Sequence, residues 1–303
     1  IVYISHRMPE LYEIGDRVTV LRDGKKIETK EISEVTPEDL VMMVSGKKVE
    51  ERVKKCYAID KVVLGVKNMP TALNREEGIS FDLRQGEILG ITGLVGAGKT
   101  ELARSMCGID NLGPRELTVH GRTVPVRSYS DTVKNGIAYL SEDRRGEGLV
   151  LIRSIADNIS LASMDRVVKH GFIDRKAEKN AAQEYIEKLR IRTPGDHALA
   201  MNLSGGNRQK VVIAKWLMRS TDILIFDEPT RGIDVGAKEE IYRIMFHLAQ
   251  AGKSVIMISS DIDEIIRAAD RVIVLKDGKK CVELDNVQNL TKDTILNYSF
   301  GVN

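Results

Sequence analysis

A glycine-rich stretch at residues 93–100, GLVGAGKT, fits the pattern G-x-x-x-x-G-K-[ST] and directly follows an apolar run of strand length. In such a loop the glycines let backbone N–H groups close around phosphate oxygens, and the following helix N-terminus also favours an anion. Lys99 would bridge the β- and γ-phosphates of a nucleotide, and the Thr100 hydroxyl would be a ligand of Mg²⁺. A tight strand-to-helix turn without a ligand is the alternative. The candidate phosphate-binding residues are Gly93, Leu94, Val95, Gly96, Ala97, Gly98, Lys99 and Thr100.

Two adjacent carboxylates end a second apolar run, DILIFDE at residues 222–228. Asp227 at the strand end can reach Mg²⁺ through water, and Glu228 can take a proton from an attacking water. By themselves these two residues could equally cap the next helix. Together with the phosphate loop they predict a P-loop nucleotide hydrolase, although several families of such enzymes share both elements.

A third motif, LSGGNRQK at residues 203–210, resembles the signature of the ATP-binding-cassette ATPases. From the residues alone, Ser204 and two glycines that open a helix form a second anion site, and a simple helix cap is the alternative. The resemblance implies that this site serves the γ-phosphate of an opposing cassette, so that two cassettes enclose two ATP molecules. Arg208 and Gln209 are expected to support the signature helix. The signature residues are Leu203, Ser204, Gly205, Gly206, Asn207, Arg208 and Gln209.

Three longer stretches make the resemblance more specific: LSEDRRGEGL, LSGGNRQKVVIAKWL and DEPTRGIDVGAK. Together they resemble the double-cassette ATPases of monosaccharide importers. The resemblance implies a cofactor set of ATP and Mg²⁺, separate permease subunits in the membrane, and an indirect link to a sugar-binding protein. It also implies a peripheral location on the cytoplasmic face of the cell membrane. Asp234 is expected to contact the partner cassette near its nucleotide, with an ordinary polar surface position as the alternative.

The sequence departs from the family pattern at two positions near the γ-phosphate. Most cassettes have a Gln after the strand GIAYL, as a Mg²⁺ ligand that signals to the permease, and Glu142 stands there. A carboxylate also binds Mg²⁺ well, so metal binding is expected to survive. The surrounding stretch, 140–149, is expected to contact the permease, and a solvated turn is the alternative.

The second departure is at the switch position after the strand SVIMIS, where the family expects a His and this chain has Ser260. A hydrogen bond to a charged group contributes about 1.5 to 3 kcal/mol and a neutral one about 0.5 to 1.5 kcal/mol. The change from His to Ser therefore costs about 1 to 2 kcal/mol, or roughly tenfold in rate. Since Glu228 is present, a slower site is expected rather than an inactive one.

Adenine recognition is a further departure. Cassettes usually stack the base on an aromatic side chain some two dozen positions before the phosphate loop, and residues 62–80 contain no aromatic residue. Base stacking contributes about 1 to 3 kcal/mol. The sequence therefore predicts weak nucleotide affinity.

The elements that must position these residues follow an α/β pattern, in which short apolar runs alternate with amphipathic stretches of helix length. Continuous apolar runs at 87–93, 222–228 and 254–260 predict strands of a parallel sheet that is covered on both faces. The expected fold is a P-loop cassette with a RecA-like parallel core, an antiparallel β subdomain from 102–140 and an α-helical subdomain from 150–200.

An internal repeat sets the predicted domain boundaries. Residues 1–26 match 255–280 at a constant offset of 254 with 12 identities, namely Ile4, Ser5, Glu10, Asp16, Arg17, Val18, Val20, Leu21, Asp23, Gly24, Lys25 and Lys26. We therefore expect residues 1–46 to be the C-terminal tail of a truncated first cassette, 47–61 a linker and 62–303 a second cassette. The first cassette of the full-length polypeptide is then a partner, and His6 is its switch residue. Without flanking strands, residues 1–46 are expected to be disordered, packed opportunistically or swapped.

Composition gives little reason to expect some classes of partner. The 303 residues are 42% apolar and 30% charged, and the formal net charge is +2. Nothing in the charge pattern therefore indicates a nucleic-acid partner. No uncharged run approaches the ~18 residues of a membrane span. Three widely separated cysteines suit a reducing compartment and give no metal-binding spacing.

Two other functional interpretations stay open at this point. The first is a regulatory or structural module that binds ATP without hydrolysing it, which Ser260 and Glu142 favour, whereas Glu228 and Lys99 favour an ATPase. The second is a cytosolic cassette protein of translation or DNA repair, which neither the charge pattern nor the LSEDRRGEGL stretch supports.

Overall fold

The computed structural model describes residues 1–5, 8–22, 24–45, 55–285 and 290–301. Their strands are β1 (Arg17–Arg22), β2 (Lys25–Glu31), β3 (Val62–Met69), β4 (Ile79–Arg84), β5 (Ile88–Thr92), β6 (Glu116–Val119), β7 (Arg122–Val124), β8 (Ile137–Leu140), β9 (Val168–Lys169), β10 (Phe172–Ile173), β11 (Ile223–Asp227), β12 (Ser254–Ile258), β13 (Arg271–Lys276) and β14 (Lys279–Asp285).

The helices of the same described ranges are α1 (Met8–Ile14), α2 (Pro37–Ser45), α3 (Lys99–Met106), α4 (Tyr129–Lys134), α5 (Ile155–Ser160), α6 (Met164–Val167), α7 (Arg175–Lys188), α8 (Gly205–Met218), α9 (Val235–Gln250), α10 (Ile262–Ala268) and α11 (Lys292–Phe300). A π-helical turn spans Arg144–Gly148. Within the described ranges, no helix combines the length and apolarity needed to cross a bilayer.

The central sheet has six strands in the order β14, β13, β5, β12, β11, β8. All neighbouring pairs are parallel except β13 with the edge strand β14. The three predicted strands are confirmed as β5, β11 and β12, and every residue of each is buried. The carboxyl ends of β5, β11 and β12 lie side by side, so the loops that follow them meet at one edge.

Both faces of this sheet are covered, which explains why its strands are apolar throughout. Successive residues of a strand point to opposite faces. In β11, Leu224 and Phe226 belong to a core that includes α8 and α9 residues, whereas Ile223 and Ile225 belong to a core with α3 and the antiparallel strands.

A separate antiparallel sheet has the order β4, β3, β6, β7. The prediction that 102–140 supplies the β subdomain was therefore only partly right. Half of this sheet comes from β3 and β4, which precede the phosphate loop, and β8 joins the parallel sheet instead. The reason is long-range pairing, since β3 bonds to both β4 and β6. The predicted helical subdomain is present as α5, α6 and α7, which pack with α8.

Residues 8–22 and 24–45 form a small unit with the element order of residues 262–285 and 290–300. The helices α1 and α2 have counterparts in α10 and α11, and the hairpin β1–β2 corresponds to β13–β14, in each case 254 or 255 positions later. Both hairpins even shift register at equivalent places, between Val20 and Leu21 and between Val274 and Leu275. The similar sequences therefore adopt similar local structures.

The small unit lies outside the six-stranded sheet. Its core contains Val20, Val35 and Leu40, and α2 packs against α9. Residues 1–5 are irregular and mostly exposed, although their counterpart β12 is a buried central strand. In the central sheet, β12 lies between two neighbouring strands. Among the described strands of the small unit, β1 and β2 pair only with each other, so residues 1–5 have no neighbouring strand with which to form a sheet. Residues 47–54, about half of the predicted linker 47–61, lie outside the described residues, as does His6.

Candidate functional site

The glycine-rich loop 93–100 connects the end of β5 to α3, as predicted from its pattern. Gly93, Gly96 and Gly98 have positive φ angles of 150°, 81° and 93°. A Cβ on Gly93 would lie 2.2 Å from the Leu275 carbonyl oxygen, so no larger residue fits there without a shift of the backbone. The glycine backbone therefore folds tightly in front of the N-terminus of α3. A tight glycine loop before a helix N-terminus is typical of anion sites.

Lys99 is the first residue of α3 and is 7% exposed. Its Nζ donates hydrogen bonds to the carbonyl oxygens of Gly93 (2.8 Å) and Leu94 (2.9 Å), so the ammonium group lies inside the loop. Burial lowers the pKa of Lys99, and the nearby Glu228 and Asp227 carboxylates oppose that shift. Two backbone carbonyl oxygens thus hold the charged group within the predicted phosphate loop.

Asp227 ends β11 and is 1% exposed. Its Oδ1 accepts a hydrogen bond from the Thr100 hydroxyl (3.2 Å), and its Oδ2 accepts one from the Tyr139 hydroxyl (2.7 Å). Burial raises the pKa of Asp227 to about 6, although the two hydrogen bonds lower it. The structure therefore joins Thr100 and Asp227, which the sequence predicted as partners at a metal site.

Tyr139 is a contact that sequence reasoning did not find. It lies on β8, the strand next to β11, and its hydroxyl reaches a carboxylate 88 positions further along the chain. The Tyr129 hydroxyl bonds both the N–H (3.1 Å) and the carbonyl oxygen (3.2 Å) of Tyr139. The buried strand GIAYL gives no signal for this contact, because it depends on the order of the strands.

Glu228 follows directly and adopts a left-handed backbone conformation with φ of 45°. Its N–H donates to the Ile258 carbonyl oxygen (2.9 Å), and its Oε1 accepts a hydrogen bond from the Ser260 N–H (2.7 Å). A non-glycine residue in this conformation costs about 1 to 3 kcal/mol and is usually held by its surroundings. The end of β12 thus fixes the orientation of the Glu228 carboxylate.

Position 260 contributes through its backbone in this structure. The predicted role of Ser260 was a side-chain hydrogen bond to phosphate, but the contact seen here is from its N–H to Glu228. Any residue other than proline can make this contact. The substitution of Ser for His therefore leaves the orientation of the Glu228 carboxylate intact.

Glu142 lies just after β8, where its Oε1 accepts a hydrogen bond from the Arg231 guanidinium group. Burial is the main cause of the raised pKa of Asp227 and of the lowered pKa of Lys99, and the Glu142 charge adds slightly to the first shift and slightly opposes the second. Glu142, Thr100 and Asp227 therefore share one electrostatic environment. Among the described residues, no group of three or more His, Cys, Asp or Glu side chains could hold a metal ion by itself.

The signature motif begins α8, and Ser204 is the N-cap of that helix. Its Oγ accepts hydrogen bonds from the Asn207 N–H (3.4 Å) and side-chain amide (3.0 Å). The helix-cap alternative thus describes one role of Ser204, whose exposed hydroxyl lies at the N-terminus of α8, where the first N–H groups of a helix lack intrahelical partners. A Cβ on Gly206 would lie 2.5 Å from the Cβ of Ala237, so this glycine allows α8 to approach α9.

The rest of the signature motif supports the helix start. Arg208 donates to the carbonyl oxygens of Met201 (2.8 Å) and Ala200 (3.4 Å), which hold the chain that enters the motif. Leu203 and Gln209 are buried at 6% and 1% exposure. Asp234 caps α9 by accepting a hydrogen bond from the Ala237 N–H (2.9 Å), and it is exposed to solvent.

An exposed apolar side chain and a cavity lie close to the candidate site. Leu73, which is 56% exposed, lies beside Gly98 and Gly278 and is an apolar side chain from the segment that lacks aromatic residues. A cavity of about 660 Å³ lies between the parallel sheet and the helical subdomain. Its walls include Tyr129, Trp216 and Leu161, and residues 141, 147 and 148 of the stretch 140–149.

Comparison with known proteins finds a matching family and similar proteins. The family described as ABC transporter matches residues 77–231. A "putative ribose/galactose/methyl galactoside import ATP-binding protein 1" of Burkholderia lata is 47% identical over 287 residues, which cover 94% of this chain and 56% of that protein. A "ribose import ATP-binding protein RbsA" of Clostridium tetani is 42% identical over 307 residues, which cover 99% of this chain and 59% of that protein. The chain thus spans less than two thirds of these relatives' length.

Solved structures resemble the fold. A nucleotide-free ATP-binding cassette from an ABC transporter matches 78% of this chain and 94% of that chain, with a TM-score of 0.64 and 17% identity. A dimeric bacterial ABC transporter cassette matches 75% of this chain and 100% of that chain, with a TM-score of 0.62 and 21% identity. These similarities support the predicted cassette architecture, with its parallel core and its antiparallel and helical additions.

Proposed function

Because this chain belongs to the ABC transporter family, we propose that it binds and hydrolyses ATP to drive import of a monosaccharide. The observation that carries this proposal is the Glu228 carboxylate, held by the Ser260 N–H (2.7 Å) at the edge where Asp227 and the phosphate loop meet. The substrate class, a monosaccharide, is supported by the names of two relatives, a putative ribose/galactose/methyl galactoside import protein and a ribose import protein. A phosphate site, a buried carboxylate and a proton acceptor are the groups that ATP hydrolysis requires.

In this mechanism the chain's own residues bind and orient ATP. The N–H groups of the loop 93–100 and the Lys99 ammonium bind the phosphates. Glu228 accepts a proton from the water that attacks the γ-phosphate, because its Oε1 is already oriented and its second oxygen remains to accept the proton. Ser260 contributes the orienting N–H.

The donor set fits Mg²⁺. The Thr100 hydroxyl and an Asp227 oxygen lie 3.2 Å apart, the Glu142 charge is close by, and hard oxygen ligands are those that Mg²⁺ prefers. A site with few protein ligands is also expected, since Mg²⁺ usually keeps water and substrate phosphates in its coordination shell. When bound at these residues, Mg²⁺ would neutralise negative charge on the phosphates.

We place this chain in a double-cassette polypeptide. Residues 1–46 are assigned to the tail of a first cassette, with His6 as its switch residue, and 62–303 to the second. The corresponding elements of residues 8–45 and 262–300 support this assignment. In the paired state, Ser204 and the glycines beside it bind the γ-phosphate at the opposing loop. Asp234, exposed at the start of α9, contacts the partner cassette.

The permease is assigned to the cavity between the sheet and the helical subdomain. Residues of the stretch 140–149 line this cavity, as do the aromatic rings of Tyr129 and Trp216, which pack edge to face at 5.8 Å. The protein then lies on the cytoplasmic face of the membrane and meets the sugar-binding protein only through the permease. Nucleic acid is not among the proposed partners.

Co-purification of the full-length protein with its membrane partner tests this function. ATP turnover in liposomes should rise when ribose or galactose and the binding protein are added. The alternative, a regulatory or structural ATP-binding module, is favoured by Ser260 and Glu142 and predicts ATP binding without turnover under any of these conditions.

The pH dependence of Mg²⁺-assisted ATP binding should follow the ionisation of the Asp227 carboxyl group. The pKa of Asp227 is raised to about 6, so the carboxyl is ionised above pH 6 and protonated below it. Because Mg²⁺ needs the ionised form, its apparent affinity is expected to be level above about pH 7 and to fall about tenfold per pH unit below 6. Mg²⁺ titrations monitored by fluorescent ATP binding would measure this profile.

Tyr139→Phe is the matched comparison, because ATP phosphates also titrate near pH 6. The Tyr139 hydrogen bond lowers the pKa of Asp227, so its loss should move the midpoint upward by about one pH unit. Identical midpoints for the two proteins would show that Asp227 does not control the profile.

Leu73 should limit ATP affinity. Calorimetric titration is expected to give a dissociation constant above 1 μM for this chain, and Leu73→Trp is expected to tighten binding about 5- to 150-fold, since base stacking contributes about 1 to 3 kcal/mol. Ile152→Trp, at an exposed position of the helical subdomain, is the control. Submicromolar binding by the unmodified chain would contradict this prediction.

A further inference from the structure

Glu264 is a buried carboxylate in the first turn of α10, and it is 6% exposed. Its Oε1 accepts hydrogen bonds from the Thr230 hydroxyl and from Lys238 Nζ (2.6 Å), and its Oε2 accepts one from the Ser259 hydroxyl (3.2 Å). A buried charge is stable only when it is paired and hydrogen-bonded, and Glu264 meets both conditions. It therefore forms a fixed junction of three segments.

Two of these segments carry the Glu228–Ser260 pair. Thr230 lies two residues after Glu228 on the loop that leaves β11, and Ser259 lies immediately before Ser260 at the end of β12. Glu264 thus bonds to both sides of the hydrogen bond that orients the Glu228 carboxylate. The strained backbone of Glu228 needs such support, since a left-handed conformation persists only when the surroundings fix it.

The charge of Glu264 is balanced by α9. Lys238 lies on the first turn of that helix, and its Nζ is also 3.9 Å from Asp261 Oδ2. Tyr242 lies one turn further along α9. Burial and then the Glu264 charge raise the pKa of Tyr242, which keeps its hydroxyl a hydrogen-bond donor. The junction therefore also links the Glu228 loop to the helix that Asp234 caps.

The internal repeat contains the same contact. Ser5 and Glu10 are the residues 254 positions before Ser259 and Glu264, and the Ser5 hydroxyl donates to Glu10 Oε2 at 2.8 Å. This Ser-to-Glu bond is formed even though residues 1–5 are not in a sheet. The Ser-to-Glu bond thus forms in two different structural surroundings.

We infer that Glu264 is a positioning residue, which holds the loops of Glu228 and Ser260 in register so that the Glu228 carboxylate stays aligned with the attacking water. This inference rests on the proposed function. The residues that Glu264 bonds, Thr230, Lys238 and Ser259, all lie outside the phosphate loop 93–100. Loss of Glu264 should therefore reduce the rate of hydrolysis and leave ATP binding intact.

The test uses the full-length protein with Glu264→Gln and Thr230→Val. Displacement of a catalytic group by about 1 Å can cost about 100-fold, so kcat should fall about 10- to 100-fold while the KM for ATP stays within about twofold. Thr230→Val removes one contact without removing a buried charge, and it serves if Glu264→Gln does not fold. Glu239→Gln, which breaks the ion pair with Arg267 between the same two helices (2.5 Å), is the control. Wild-type kcat in both test variants, or an equal loss in the control, would overturn the inference.

Amide hydrogen exchange gives a readout that does not need hydrolysis. The Ser260 N–H should exchange faster in Glu264→Gln than in the wild type and should be unchanged in Glu239→Gln. Equal protection of Ser260 in all three proteins would refute the positioning role. If the wild type hydrolyses no ATP, the proposed function fails, and this exchange comparison still decides the role of Glu264.

Discussion

Replacing Glu228 by Gln in the full-length protein is expected to lower the rate of ATP hydrolysis about 100- to 10,000-fold, the usual contribution of a general base. Gln has the same size and keeps an oxygen that can accept the Ser260 N–H, so the geometry should be retained. The amide cannot accept a proton from water, so the chemical step alone is affected. Phosphate release at saturating ATP would measure the change.

ATP affinity provides the control for this variant. The phosphate loop and Lys99 are untouched, so the dissociation constant for ATP should be within about twofold of the wild-type value, because the lost interaction is made only in the transition state. Turnover in Glu228→Gln equal to that of the wild type would favour the module that binds ATP without hydrolysing it.

This chain by itself is expected to hydrolyse ATP at least about 100-fold more slowly per site than the full-length protein. In the proposed paired state, helix-terminal N–H groups of the opposing signature stabilise the γ-phosphate, and loss of one such donor typically costs about 100- to 1,000-fold. Each protein would be assayed at saturating ATP and Mg²⁺. Comparable rates per site would contradict the two-cassette arrangement.

The variant Ser204→Asp tests the pairing of the two cassettes without disturbing the fold of either one. Asp caps a helix as well as Ser does, so α8 should keep its start, but the added charge repels a phosphate. The variant should bind ATP normally as this chain alone and should lose turnover in the full-length protein. Gly206 is unsuitable for this purpose, because a Cβ there would lie 2.5 Å from the Cβ of Ala237 and disturb the packing of α8 on α9.

Local sequence was enough to predict the phosphate loop, the carboxylates after β11 and the start of the signature helix. Each depends on a short stretch whose residue types restrict the backbone: glycines with positive φ, an apolar strand that ends in Asp227, or a serine that caps a helix. The covered parallel sheet was also predictable, because runs of five buried residues need apolar side chains on both faces.

Only the tertiary structure revealed the contacts that hold these residues in place. Tyr139 bonds to Asp227 across neighbouring strands, Glu264 joins Thr230 to Ser259, and the backbone of Ser260 orients Glu228. Each contact joins segments that are made adjacent by strand order or by the packing of helices on the sheet. A hydropathy pattern records which residues are buried but not which strand lies beside which, so only the folded chain could identify these partners.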